Sequence, residues 1–536
     1  AVWVSGGFYQ EANSLFLIVD CLARRNFLPG RVISLYTFYL SIKKVTMIAQ
    51  DKKNLWMYPL GTVGRDMVYT LFTNYILTFI LFTRTLDPAH LAAITAIMIA
   101  ARVFDALNDP IMGNIIERTR TKWGKFKPWL LIGILSTSLV VYAAFNNDLQ
   151  GWPFVIFFGG IYFLYSITYT MNDIAYWGMV PALSSDGHSR NQFTSRATLF
   201  AGIGGTLAAL LIPMLTTGSL TIGGNTATAY GGGALAICII SPLFVSFTLL
   251  GVKENRSDMA KPAIKVSLKM IIRTIVSNDQ LLWISLIFLI QQIGNGIVLG
   301  GVGSTYIYFE FGYSGALYSL FTTVGMSATA FLMIFYPAIS KKVPRKKLMT
   351  IMQIVSAVGY CFMLAAGLLM SPATTKFMII TAGYMLANFG QYCFYLIMMI
   401  SIINTVEYHE YKFGSRNEAI ITSLRPFLTK LGSALVVAIT SASYMVFGVT
   451  GFSNRISEME NQTARMLITE AEKLSNITTI LAEVQKSQTK GLLVVFTVVP
   501  LALMFLSYLI YQKKYRLDEG EYDRLCLELA KRNEAT

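Results

Sequence analysis

The stretch Arg102-Val-Phe-Asp-Ala-Leu-Asn-Asp-Pro-Ile-Met-Gly113 decides the fold class, because it places Asp105 and Asp109 inside a segment apolar enough to cross a bilayer. A charged side chain at the bilayer centre costs about 2.5–3.5 kcal/mol, so such residues usually face a cavity, a counter-charge or an ion. Positions i and i+4 share one helix face, where two carboxylates can share a cation or a proton. The stretch therefore predicts a membrane helix with a cation site, a combination typical of cation-coupled transporters.

The composition places the chain of 536 residues among polytopic membrane proteins, since 54% of the residues are hydrophobic and only 14% are charged. The mean hydropathy of +0.53 agrees with that class. The net charge of +15 then concerns topology, because basic residues in short loops mark the cytoplasmic side and attract anionic lipid headgroups. Nucleic acid is a poor alternative partner. The five cysteines and three histidines show no metal-type spacing.

From residue 55 onward, apolar segments of spanning length alternate with short polar loops. The sequence predicts twelve spans, at 55–83, 91–115, 128–146, 152–180, 195–217, 230–251, 280–308, 315–339, 347–370, 376–405, 418–449 and 491–512. Basic loops follow the second, sixth and eighth spans, which predicts that these loops and both termini are cytoplasmic. We therefore expect an all-α membrane protein, with a six-helix bundle at 55–251, a cytoplasmic linker at 252–279 and a second six-helix bundle at 280–512.

Three segments lie outside the two expected bundles. Residues 1–54 form an amino-terminal part, in which residues 1–46 suggest an upstream extension and Met47 the start of the natural protein. Residues 453–490 are polar, with apolar residues at helical spacing, and predict an external helical hairpin. The alternative for this insert is a lid over the substrate mouth. Residues 513–536 are expected to form a cytoplasmic tail.

Three motifs in order carry a resemblance to a known family. They are Phe104-Asp-Ala-Leu-Asn-Asp-Pro-Ile-Met-Gly113, Arg120-Thr-Lys-Trp-Gly-Lys-Phe-Lys-Pro-Trp129 and Thr168-Tyr-Thr-Met-Asn-Asp-Ile-Ala-Tyr-Trp177. Over about residues 55–512 the chain closely resembles the glycoside-pentoside-hexuronide cation symporters. The resemblance implies the major facilitator fold, alternating access in the inner membrane of a bacterium, and uptake of a sugar with Na⁺, Li⁺ or H⁺ and no other cofactor.

The same resemblance implies a cation site made by residues on the second and fourth spans: Asp105, Asn108, Asp109, Thr170 and Asp173. The chemistry agrees, because hard monovalent cations need several oxygen ligands, and close carboxylates in a low dielectric hold a cation or retain a proton. The alternative for either aspartate of the second span is a salt bridge with an intramembrane arginine such as Arg102.

The sugar site implied by the resemblance lies where the two bundles meet, at Arg65, Asp66, Asp173, Trp177, Arg196, Tyr395 and Lys430. Carboxylates and guanidinium groups bind paired sugar hydroxyls, while an aromatic face packs on the apolar face of the ring. Trp177 and Tyr395 could instead be packing aromatics, and Arg196 could be a cytoplasmic charge near a helix start. Asp173 belongs to both sites, which suggests that it couples the cation to the sugar.

Three residues differ from those of a well-known member of that family. Arg65 stands where that protein has Lys, and Tyr395 where it has Trp, so the identity of the sugar stays open. Asn404 replaces an Asp near Glu407. The charges Arg102, Glu407 and Arg416, together with the basic loop 118–127, are expected to form an inner gate whose ion pairs break on inward opening. A solvated loop charge is the alternative for Arg416.

Other functional classes are less consistent with these residues. An intramembrane aspartyl protease also needs two buried aspartates, but it places them on separate helices with a GxGD sequence, which occurs at neither Asp105 nor Asp173. We therefore do not expect an enzyme. A non-transporting sensor would have lost the cation ligands or gained a large soluble domain. A lysolipid carrier of the same fold would favour a wider apolar cavity over these charged residues.

Overall fold

The computed structural model describes residues 30–183, 187–254, 268–340, 342–414 and 418–535, which are almost entirely α-helical. The helices are numbered in chain order, and a single 3₁₀ turn at Ile222–Gly224 precedes the seventh. They are α1 (Gly30–Thr83), α2 (Pro88–Arg118), α3 (Lys127–Phe145), α4 (Gly151–Gly178), α5 (Val180–Leu183), α6 (Gly187–Thr216), α7 (Thr226–Gly251), α8 (Leu268–Ser277), α9 (Asp279–Leu299), α10 (Val302–Phe311), α11 (Gly315–Ser340), α12 (Arg345–Leu369), α13 (Thr374–Phe413), α14 (Glu418–Val446), α15 (Val449–Ala464), α16 (Glu470–Ala482), α17 (Lys486–Lys514) and α18 (Glu519–Ala535).

Within the described ranges, 11 helical segments are long and apolar enough to cross a membrane. They match the predicted spans except the eighth, whose position is taken by the 26-residue helix α11. Large apolar side chains such as Leu139, Ile156 and Leu250 are 70–84% exposed on these helices, as expected of surfaces that face lipid rather than water. The all-α membrane fold is therefore confirmed, while the count of twelve spans stays a prediction.

The first helix begins earlier than predicted. Helix α1 extends back to Gly30 and joins part of the expected amino-terminal extension to the first span, whereas residues 1–29 lie outside the described part of the chain. The predicted span began only at residue 55 because the polar run Asp51-Lys-Lys-Asn54 lowers the local hydropathy. Polar residues do not end a helix, and no proline occurs between Gly30 and Pro59.

The seventh predicted span is two helices rather than one. Helices α9 and α10 are separated at Gly300 and Gly301, and Gly301 has a φ of 110°, a conformation open mainly to glycine. The carbonyl groups at the break are satisfied, because Gly300 accepts from the Thr440 hydroxyl and Gly301 accepts from the Ser304 hydroxyl and the backbone N–H of Thr305. The break is thus stable inside the helical layer.

The helices pack in two groups that follow the chain. In the first, α1 packs on α6 and α7, and α4 packs on α2 and α3; in the second, α13 packs on α11 and α12, and α9 packs on α14 and α17. The α12–α13 contact is close enough that a Cβ on Gly359 would lie 2.5 Å from the carbonyl oxygen of Gly383. The two groups meet through α2 with α14 and α6 with α11.

The direction of the helices defines two ends of the molecule. The basic end carries the connections 119–126, 252–254, 342–344 and 515–518 and the helix α18. The insert end carries the connections 84–87, 146–150 and 217–225 and the pair α15–α16, which fills most of the predicted insert 453–490. That insert is therefore a helical hairpin, whose face toward the protein buries Ile456, Ile477 and Ile480. The carboxyl-terminal helix α18 is held at the basic end by Glu519, which accepts from the backbone and side chain of Arg345.

Candidate functional site

The two carboxylates of the opening motif both point from α2 toward α4 but have different partners. Asp105 is 4% exposed, accepts a hydrogen bond from Ser166, and lies 3.5 Å from the Arg102 guanidinium. The salt bridge named above as an alternative for this aspartate is therefore present. Ser166 was missed by the sequence prediction, although it lies one turn before Thr170 on the same helix face.

Asp109 connects the two groups of helices. Its carboxylate accepts from the Thr170 hydroxyl at 3.1 Å, and the Lys430 ammonium on α14 lies 2.8 and 2.6 Å from its two oxygens. The sequence prediction assigned Lys430 to the sugar and Asp109 to the cation, whereas the structure pairs them with each other. In this arrangement the ammonium stands where a coupling cation would contact Asp109.

The other predicted cation ligands, Asn108 and Asp173, make no hydrogen bond to Asp109 or Lys430 in the described part of the chain. Asn108 is 9% exposed, and its side-chain nitrogen has no hydrogen-bond partner within the described part of the chain. Asp173 is bound to Arg65 rather than to Asp105 or Asp109. Across the described residues, no three acidic, histidine or cysteine side chains lie close enough together to hold a metal ion. The three aspartates therefore do not form one cage in this arrangement of helices.

Arg65 on α1 gathers the predicted sugar residues of the first group. Its guanidinium lies 3.2 Å from Asp66 and 2.7 Å from Asp173 on α4, and its carbon is 5.3 Å from the centre of the Trp177 ring. Arg65 is only 3% exposed, whereas the two carboxylates are 22% and 34% exposed. A planar guanidinium suits this position, because it binds two carboxylates and stacks on an aromatic face at once.

Two tyrosines hold Arg65 in place, and the sequence prediction missed both. Tyr58 on α1 and Tyr176 on α4 stack with ring centres 4.4 Å apart. Each hydroxyl donates to the other residue's backbone carbonyl, at 2.9 and 2.6 Å. The Arg65 guanidinium lies 4.7 Å from the centre of the Tyr176 ring. The pair therefore fixes α1 against α4 at the level where Arg65 bridges their carboxylates.

Two predicted sugar residues have contacts outside this cluster. The Arg196 guanidinium lies 5.0 Å from the centre of the Trp56 ring and donates to the carbonyl of Leu55, which precedes Arg65 on α1 by ten residues. Helical rise over ten residues is about 15 Å, so this contact lies toward the basic end. Tyr395 on α13 accepts a hydrogen bond from Arg425 on α14, an exposed residue that the sequence prediction overlooked.

The structure does not bring the predicted gate charges together. Arg102 precedes Arg118, at the basic end of α2, by 16 residues, which corresponds to about 24 Å of helix, and its partner is Asp105. Glu407 instead faces Tyr522 on α18. Burial and the nearby Glu407 carboxylate raise the pKa of Tyr522 to about 12. Arg416 lies outside the described residues. Arg102 lies near the middle of α2, so its grouping with the basic loop in an inner gate stays a prediction.

The central cluster carries unequal charge. It combines the four carboxylates of Asp66, Asp105, Asp109 and Asp173 with the three basic groups of Arg65, Arg102 and Lys430. When all are ionised, the set carries one net negative charge. A single monovalent cation or proton would neutralise it, which matters because unbalanced charge is costly between membrane helices.

Comparison with known proteins gives consistent similarities. Residues 57–519 match the family model described as MFS/sugar transport protein. The chain is 29% identical to a lactose permease of Leuconostoc lactis, over 74% of this chain and 62% of that protein. It is 26% identical to a raffinose carrier protein of Pediococcus pentosaceus, with the same shares of 74% and 62%. The chain thus spans less than two thirds of the length of these relatives.

A solved structure has the same fold. It is a bacterial homolog of the human lysosomal transporter Spinster, in an inward-facing and unoccupied conformation, and it aligns with a TM-score of 0.58 at 14% identity. The alignment covers 87% of this chain and 98% of that one. At this identity the likeness concerns the arrangement of helices alone.

Proposed function

Because this chain belongs to the MFS/sugar transport protein family, we propose that it is a cation-coupled symporter that carries a galactose-containing oligosaccharide across a bacterial plasma membrane. The observation that carries the proposal is the charged cluster of Arg65, Asp66 and Asp173 beside Trp177, between helices that otherwise bury apolar residues. The printed names of the two relatives, lactose permease and raffinose carrier, support the substrate class, since both sugars contain a galactosyl unit.

The cluster has the chemistry that a sugar needs. Arg65 donates to one oxygen of Asp66 and to one oxygen of Asp173. Within the described residues, the second oxygen of each carboxylate is therefore available to the hydroxyl groups of a sugar. Charge-assisted bonds of this kind are about twice as strong as neutral ones, and two carboxylates held by one guanidinium suit paired ring hydroxyls. Trp177 adds an aromatic surface for the apolar face of the ring.

The Lys430–Asp109 pair supplies a route to coupling. A Na⁺, Li⁺ or H⁺ that binds Asp109 competes with the Lys430 ammonium for the same oxygens. Displacing the ammonium removes an ion pair between the two groups of helices and changes the charge around Asp173. By linkage, if the cation raises the affinity for sugar, the sugar raises the affinity for the cation by the same factor. Rocking of the two groups then carries both ligands across.

The topology follows from the loops. The connection 119–126 at the basic end carries Arg120, Lys122 and Lys125, whereas the connections 146–150 and 217–225 at the insert end carry no Lys or Arg. The basic end therefore belongs in the cytoplasm, and the insert end faces outside.

The test is uptake into proteoliposomes of labelled lactose, raffinose, melibiose, a xyloside and a glucuronide, each with an imposed Na⁺ gradient or an imposed pH gradient. We expect accumulation of at least one galactoside under one gradient, and loss of accumulation in Asp173→Asn. No accumulation of any sugar by a preparation with normal helix content would contradict the proposal. Accumulation of only the xyloside or the glucuronide would keep symport and reject the galactoside.

A further inference from the structure

The hairpin α15–α16 belongs to the second group by chain position but binds the first. It follows α14 after Phe447 and Gly448, and Gln488 on α17 donates to the Phe447 carbonyl, so both ends of the hairpin are fixed to the second group. Yet the Asn454 side chain accepts a hydrogen bond from the backbone N–H of Leu86 at 2.8 Å and donates one to the Leu86 carbonyl at 2.6 Å. Leu86 lies in the connection between α1 and α2. The hairpin therefore crosses the division between the two groups.

A buried ion pair makes the second attachment. Glu460 on α15 and Lys473 on α16 are both 0% exposed and lie 3.3 Å apart. Glu460 also accepts from the backbone N–H of Thr226 at 2.8 Å, and Lys473 donates to the carbonyl of Gly224 at 2.6 Å. Each charge thus satisfies a backbone group at the start of α7, in the first group. These bonds offset part of the cost of burying the two charges while the hairpin is docked, although the second carboxylate oxygen of Glu460, Oε1, is buried without a hydrogen-bond partner among the described residues.

We propose that α15–α16 is a strap that holds the insert end of the transport path closed, and that it must leave the first group before that end can open. Alternating access requires the two groups to separate at each end in turn. The Asn454–Leu86 bonds and the Glu460–Lys473 contacts to the start of α7 join the two groups at the insert end, so separation there breaks both. Both attachments are polar hydrogen bonds that water can replace, which suits a contact that forms and breaks in each cycle.

The strap contains its own control. Arg455 and Glu483 form an ion pair of the same chemical type, but both belong to the hairpin segment and neither is bonded to the first group in the described structure. Both residues are about half exposed, at 47% and 53%. Replacing Arg455 by Met changes the charge of the strap as much as Lys473→Met does, without changing the attachment of the strap.

The test is a distance measurement by double electron–electron resonance in nanodiscs, on a variant whose native cysteines are replaced. Spin labels at Glu458, exposed on the strap, and Asp148, exposed on the first group, report docking. We expect one distance for the parent protein without sugar or coupling cation, and an additional longer distance in Asn454→Ala combined with Lys473→Met. Arg455→Met should match the parent. A combined variant with the parent's distribution, or an equal shift in Arg455→Met, would overturn the proposal.

A second measurement locks the strap in place instead of weakening its attachment. Cysteines introduced by Leu86→Cys and Asn454→Cys join the strap to the first group when oxidised, and we expect the disulfide to remove the longer distance that appears when sugar and cation are added. The strap is refuted if the cross-linked protein still reaches that distance. The first measurement uses no sugar or coupling cation, so it tests the strap independently of which sugar is carried, whereas failure of the proposed function would appear in the uptake assay.

Discussion

Replacing Lys430 by Met tests whether the lysine competes with the coupling cation. The Lys430 ammonium lies 2.8 and 2.6 Å from the two oxygens of Asp109, and the two side chains are 22% and 29% exposed. Removing the ammonium leaves Asp109 with the Thr170 hydroxyl and opens its oxygens to a mobile cation. We therefore expect Lys430→Met to bind Na⁺, or a proton, more tightly than the parent protein.

The size of the effect follows from the geometry. Two unit charges about 4 Å apart attract by about 4 kcal/mol at an effective dielectric constant of about 20. Because the pair is a fifth to a third exposed, solvent screens part of this energy, and we expect about 1–3 kcal/mol, or about 5–150-fold in cation affinity. This gain in cation affinity requires that the cation binds the Asp109 oxygens that the Lys430 ammonium contacts in the parent protein.

Isothermal titration of cation into the purified protein measures the affinity without any sugar. The matched control is Lys412→Met, because Lys412 lies 2.7 Å from Asp279 at the basic end, away from the cluster. The control should bind the cation as the parent does. Weaker cation binding by Lys430→Met would refute competition, since it would mean that the lysine organises the site for the cation instead of excluding it.

Three further predictions concern other contacts. Arg65→Lys keeps the charge but loses the planar fork that bonds Asp66 and Asp173 through separate nitrogens and stacks on Trp177. The Kd for sugar at saturating cation should therefore rise by about 10–150-fold, the equivalent of one charge-assisted hydrogen bond. An unchanged Kd would show that this geometry does not contribute to sugar binding. Gly301→Ala should lower the unfolding free energy by about 1–3 kcal/mol, because alanine is strained at a φ of 110°. Thermal denaturation measures this loss, and the control is Gly113→Ala, where an added Cβ meets open space. Burial raises the pKa of Glu460 above its ordinary value of 4.5, although the nearby Lys473 lowers it. Because the docked strap thus favours the protonated carboxyl, docking should be strongest below pH 4.5. It should weaken as the external pH rises through the raised pKa. The docked fraction from spin-label distances measures this, and Glu460→Gln should abolish the dependence.

The positions of the membrane helices could be predicted from the sequence because burial in lipid leaves a long local signal. The exceptions are local as well. The break at Gly300 and Gly301 is too short to lower the hydropathy of a segment of about 20 residues, so the prediction joined α9 to α10. The polar run near Asn54 lowers the local hydropathy without breaking the helix, so the prediction started the first span at residue 55 although α1 is continuous from Gly30.

The candidate site was predictable within a helix but not between helices. Spacing correctly gave Asp105 and Asp109 one face, and it related Thr170 to Asp173 on α4. It could not reveal that Asp109 meets Lys430, because these residues are 321 positions apart in the chain. Which faces meet depends on the packing of whole helices, and a single sequence without aligned relatives does not contain that information.

The reciprocal bonding of Tyr58 and Tyr176 has a consequence for how this site can change over time. Each hydroxyl donates to the other residue's backbone carbonyl, and the two rings stack on each other. The first replacement by a non-aromatic residue therefore removes one hydrogen bond and the stacking, whereas the second removes only the remaining hydrogen bond. Descendants of this chain should therefore keep both tyrosines or lose both. A lineage in which both have been replaced would have passed through an ancestor with one tyrosine and a weakened contact between α1 and α4.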